Sequence, residues 1–108
     1  MSRQYTVDRT RWAKLGIFDQ MGNIYSEVGR SFKANDKKSQ DQAIARATDL
    51  FNATIYTLGK AESPRAKEVR RAKQQYLEIV SNKNASQESI QSLDRYFLQF
   101  AIAARLHR

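Results

Sequence analysis

Apolar side chains return every three or four positions along most of the chain, and no stretch alternates apolar with polar for the length of a strand. On a 3.6-residue period that spacing keeps one face of a helix apolar. The first such run predicts a helix over 8–33. Trp12, Leu15, Phe18, Met21, Tyr25, Val28 and Phe32 form its stripe, and Ile17 and Ile24 widen it to about half the cylinder. Gly22, Ser26 and Gly29 follow one edge, where small side chains would let another helix approach closely. A glycine inside a helix costs up to about 1 kcal/mol, so two of them suggest a packing role, with simple tolerance as the alternative.

A linker, KANDKKS, follows, and Ser39 with Gln42 has the spacing of a capping box. The second helix is predicted over 40–60, with Ile44, Ala47, Phe51, Thr54, Ile55 and Leu58 inward and Gly59 placed to end it. Ser63 then reads as an N-cap and Pro64 as a first helical residue, opening a third helix over 64–82. Its inward positions are Val69, Ala72, Tyr76, Ile79 and Val80. After the turn SNKNAS, Ser86 caps a fourth helix over 86–106, with Ile90, Leu93, Phe97, Phe100, Ala101 and Ala104 in its stripe. Helices of such length with short connections most economically form an all-α, antiparallel up-down-up-down four-helix bundle, a single domain over 1–108.

Charge adds to this picture. The 108 residues carry 19 Lys and Arg against 11 Asp and Glu, a net +8, which favours anionic partners such as nucleic acid, an acidic protein or anionic lipid. Absence of cysteine excludes disulfides, thiolate metal sites and cysteine nucleophiles. The N-terminal MSRQYTVDRTR has no apolar core of a signal peptide and no run approaches bilayer length, so a cytoplasmic protein is expected, with no membrane partner.

The proposed topology sorts the charge. It puts residues 1–14, 60–73 and 105–108 at one end, with twelve Lys or Arg against Asp8, Glu62 and Glu68, whereas the remainder carries seven bases and eight acids. Arg9, Arg11, Arg65 and Lys67 fall in or near first helical turns, where the macrodipole favours acids by about 0.3–1 kcal/mol each. Helix stability therefore does not account for them. Arg105 and Arg108 need no such account, because a helix C-terminus favours cations. The stretch SPRAKEVRRAK projects Lys67, Arg70 and Arg71 opposite Val69, Ala72 and Tyr76, as a phosphate-tracking face or a solvated face would. Arg9, Arg11, Lys14, Arg65, Lys67, Arg70, Arg71 and Lys73 are the candidate nucleic-acid-binding residues. Tyr5 and Trp12 lie among bases, where a ring can stack on an unpaired nucleobase; Trp12, in register with Leu15 and Phe18, reads first as a core anchor, and Tyr5, outside the periodic region, is the better stacking candidate.

Catalysis is not expected. His107 is the lone histidine, so no His cluster for a metal exists, and Arg105 stands only two residues before it, too close for the Arg–His spacing of a HEPN-type ribonuclease. MGNIYSEVG follows no strand and is not a phosphate loop. Asp19 with Asn23, and Asp41 with Asp49, read as polar helix faces. No cofactor is implied.

RWAKLGIFDQMGNIYSEVGR (11–30), ARATDLFNATI (45–55), the basic segment Arg65–Arg71 and YFLQFAIAARLHR (96–108) together resemble phrases found in the same order in a group of short bacterial helical proteins. In size, charge and architecture the chain is also similar to 23S rRNA intervening-sequence proteins and to the accessory (Avd-type) proteins of diversity-generating retroelements. The small helical subunits of CRISPR effector complexes offer a similar likeness. The resemblance implies an oligomeric bundle that binds RNA or a larger protein of a nucleoprotein complex, and it carries over no individual site residue. The expectation is thus an accessory subunit that binds RNA or DNA backbone through a basic pole. The alternative is an interaction module whose basic pole docks an acidic protein partner.

Overall fold

The computed structural model describes residues 7–82 and 85–106, except for the side chain of Ala104. Within them the chain is all-α, five helices with no strand: α1 (Arg9–Ala13), α2 (Ile17–Lys33), α3 (Lys37–Lys60), α4 (Arg65–Ser81) and α5 (Gln87–Leu106). Arg3, Tyr5, His107 and Arg108 lie outside the described residues.

The continuous first helix expected over 8–33 is broken at Lys14–Gly16. Asp8 caps α1 through the amides of Thr10 and Arg11, at 3.1 and 3.2 Å. Gly16 is extended (φ −67°, ψ 161°) and starts α2 afresh. Buried Gln20 reaches back from α2, and its Nε2 donates to the carbonyls of Trp12 and Leu15 at 3.1 and 2.9 Å. Carbonyls that a continuous helix would have satisfied along its axis are thereby satisfied from the side. Apolar periodicity could not reveal the break, because Trp12 stays inward on one side of it and Met21 on the other.

α3 begins earlier than expected. Asp36, not Ser39, is its N-cap: the Asp36 carboxylate accepts the Ser39 amide at 2.7 Å and the Ser39 hydroxyl at 3.1 Å. These bonds to the ionised form hold the Asp36 carboxyl below its usual range, the Ser39 amide foremost. At the other end Gly59 does not terminate the helix. Instead the Ser63 amide bonds the Leu58 carbonyl and the Glu62 amide the Gly59 carbonyl, a Schellman closure whose left-handed residue is Glu62 (φ 55°). Ser63 caps α4 as expected, its Oγ accepting the Arg65 amide at 3.2 Å while Pro64 already has helical angles. The Ser86 hydroxyl likewise accepts the Ser89 amide at 3.1 Å.

The core takes side chains from every helix. Met21, Ile24, Phe51, Val69, Tyr76, Leu93 and Phe97 are almost wholly buried. Phe51 sits centrally, its ring 5.9 Å from Tyr76 and 6.0 Å from Phe97. A polar node crosses the apolar layer: Tyr76 donates to the Ser31 hydroxyl at 2.7 Å, and Gln40 donates to the Ser31 carbonyl at 3.2 Å, tying α2, α3 and α4 together. Two predicted stripes need correction: in the first, Leu15, in the break before Gly16, and Phe32, near the end of α2, are exposed at 37 and 38%, and the fourth differs at one position. Ala101 is exposed, as are Leu98, Ile102 and Leu106 beside it, so α5 turns an apolar edge to the outside.

Candidate nucleic-acid interface

Arg9 and Lys73, 64 positions apart in the chain, meet at Asn52 of α3. Arg9 Nη1 lies 3.5 Å from the Asn52 carbonyl and Nη2 3.7 Å from the Asp49 carboxylate, which also accepts the Val7 amide. Lys73 Nζ donates to Asn52 Oδ1 at 2.7 Å. One turn beyond Asn52 on α3 stands Tyr56, 54% exposed, and one turn beyond that Lys60. The Arg9 guanidinium lies 5.9 Å from the Tyr56 ring centre and the Lys60 ammonium 5.5 Å from it. Three helices thus bring three cations to one face built on Asn52, Tyr56 and Lys60. The spacing i, i+4, i+8 puts those residues on one side of α3, opposite buried Ala47, Phe51 and Thr54.

The other candidate cations distribute more widely. Arg70 precedes Lys73 by three residues, hence on the same flank of α4. Arg71 instead borders the groove between α4 and α5, with Glu68, Gln75, Ser92, Tyr96 and Gln99. Arg65 lies over the Phe100 ring of α5 at 5.8 Å. Lys67, Arg11 and Lys14 are exposed. Among the described residues the side chains of Arg11, Lys14, Lys67, Arg70 and Arg71 make no ion pair or hydrogen bond. The eight residues therefore occupy two flanks of α4 and the exposed turn of α1, with the tightest grouping on the α3 side.

Trp12 is a core residue. It is 6% exposed, and its indole nitrogen donates to the buried Thr54 hydroxyl at 2.9 Å, which removes it as a stacking surface. Lys60 counts towards the basic end expected from the sequence but is not among the eight candidate residues, and Tyr56 is in neither set, because no basic run on α3 marks them. Their four-residue spacing on the outward side of the Phe51–Thr54 stripe was the available signal.

Among the described residues no other helix closes on Gly22 or Gly29, and Ser26 between them is exposed. A Cβ at either glycine would meet nothing within 4 Å. Ser26 and Gly29 border an open groove between α2 and α5, of about 570 Å³, crossed by a bond from the Tyr25 hydroxyl to the Asp94 carboxylate. That bond, which favours the protonated phenol, raises the Tyr25 pKa, burial adding to it.

Among the described residues no three His, Cys, Asp or Glu side chains gather as metal ligands, and no helix is long and apolar enough to cross a membrane. Comparison of the chain with models of protein families, with curated proteins and with solved structures finds no match.

Proposed function

We propose that this protein is a non-catalytic, cytoplasmic accessory subunit that binds the phosphate backbone of RNA or DNA. The observation that carries the proposal is the convergence of Arg9, Lys60 and Lys73, from three helices, on the outward face of α3. Arg9 is half-exposed and its ion pair with Asp49 is a surface one; such pairs contribute only about 0–1 kcal/mol, so a phosphate can compete for the guanidinium. Arg70 extends the face along α4.

An antiparallel arrangement of α2, α3, α4 and α5 goes with this reading. Phe18 near the start of α2 meets Phe100 in the second half of α5, and Arg65 at the start of α4 lies over that same ring. Ser31 near the end of α2 meets Gln40 near the start of α3. Self-association belongs to the same proposal: Leu98, Ile102 and Leu106 recur at i, i+4 and i+8 on α5 and are 42, 53 and 77% exposed, a seam suited to a second copy.

Fluorescence anisotropy with labelled RNA and DNA across a salt series tests the binding. Affinity should fall linearly on logarithmic axes as salt rises, and reversing Lys60 and Arg70 to Glu should reduce both affinity and slope. Absence of salt-sensitive binding at low ionic strength ends the proposal. A defined acidic protein that copurifies after nuclease treatment, with no polynucleotide binding, would establish the docking alternative instead.

A further inference from the structure

We infer that Tyr56 is a stacking platform for an unpaired nucleobase, which makes single-stranded nucleic acid, in preference to duplex, the ligand of this surface. The inference rests on the phosphate-binding reading above and specifies its substrate. Tyr56 differs from the other aromatics near the cations. Trp12 is in the core, and Phe100, under Arg65, is only 5% exposed. Tyr56 instead leaves more than half its surface to solvent, in the middle of a charged helix face. Among the described residues its ring meets the guanidinium of Arg9 and the ammonium of Lys60.

An exposed ring between cations provides what a single strand requires. A base offers a π-face to any aromatic, and its 5′ and 3′ phosphates flank it on both sides. The Arg9 guanidinium and the Lys60 ammonium lie over the Tyr56 ring, from which a stacking base would displace them towards its own phosphates, and Lys73 on Asn52 continues the positive track by one helical turn. A duplex would present its phosphates to the same cations while keeping its bases stacked inside, so it would gain the charge contacts without Tyr56. Since every base has a π-face, the site should tolerate sequence.

The 108-residue protein is titrated into labelled oligouridine, an abasic strand of the same length, and a duplex of the same length, at fixed low salt. Tyr56→Ala should weaken oligouridine binding by about fivefold to about 150-fold, the range of one base–aromatic stack. It should leave the abasic strand and the duplex within about twofold. Tyr56→Phe, which keeps the ring, should bind as the parent does, and circular dichroism should show unchanged helix content in both variants. Equal loss for all three ligands, no loss for any, or parental binding to the abasic strand as tight as to oligouridine would overturn stacking while leaving phosphate binding intact. If the parent binds none of the three ligands at low salt, or keeps the same affinity for them when the titration is repeated at high salt, both readings fall together.

Discussion

At the scale of single residues, two side chains stand in environments that oppose them. The Tyr96 hydroxyl is buried with no hydrogen-bond partner among the described residues. Burial pushes its pKa from 10.0 up to about 12, with the charge of Glu68 adding to the rise and that of Arg65 opposing it. Burial likewise raises Tyr76, against the hydrogen bond to Ser31. Both groups favour the neutral phenol in the folded state. Their contribution to stability is complete below pH 10 and is lost as pH climbs from there through the folded-state values. Urea unfolding should therefore show stability falling at alkaline pH, and Tyr96→Phe should flatten part of that fall. Near neutral pH the same substitution should be neutral or stabilising by up to about 1 kcal/mol, because it removes an unpaired buried hydroxyl. A large loss at neutral pH would mean that the hydroxyl has a partner.

Glu62 is the other such residue. It holds the left-handed position that closes α3, where a Cβ is sterically unfavourable. Glu62→Gly should raise unfolding free energy by about 0.5–1 kcal/mol, read from the midpoint shift at constant denaturant slope. Lower stability would show that the Glu62 side chain contributes more than its backbone costs.

At the scale of helices, the glycines of α2 give a sharper test. Neither Gly22 nor Gly29 has a positive φ, and added Cβ atoms meet open space. Gly22→Ala and Gly29→Ala should each stabilise the monomer by about 0.5–1 kcal/mol through helix propensity. If another chain packs against this face, the alanines should instead weaken association while still stabilising the dilute monomer. Sedimentation at two concentrations separates those outcomes. The buried faces of α3, α4 and α5 followed largely from periodicity, because a residue's angular place on a helix depends only on its spacing. Caps depended on competition between neighbours. Asp36 displaced Ser39 because its carboxylate brings a full charge to the positive end of α3.

At the scale of the whole molecule, the edge Leu98, Ile102 and Leu106 bears on assembly. Ile102→Glu should abolish any self-association detected by sedimentation equilibrium without changing helix content, since the parent side chain is 53% exposed. A parent that stays monomeric at every accessible concentration would remove the oligomer from the proposal. Charge behaves differently at this scale from the way it does along the chain. The run Arg65–Lys73 looked like one binding segment, yet α4 divides it between its two flanks, with Lys73 toward α3, Arg71 toward α5 and Arg65 on Phe100. The closest group formed around Asn52 and Tyr56, in a stretch of α3 with no basic run at all.

The sequence by itself determined the all-α class, most of the inward stripes, the Ser63 and Ser86 caps and the core place of Trp12. Each depends on positions within a turn or two, where geometry is set by the helix. Only the tertiary structure decided the break before Gly16, the openness of the Gly22–Gly29 face, and the meeting of Arg9, Tyr56, Lys60 and Lys73. Those depend on which helix lies beside which, and on long-range bonds such as Gln20 to Trp12 and Lys73 to Asn52. A period of 3.6 residues fixes the direction of a side chain, and packing chooses its neighbour.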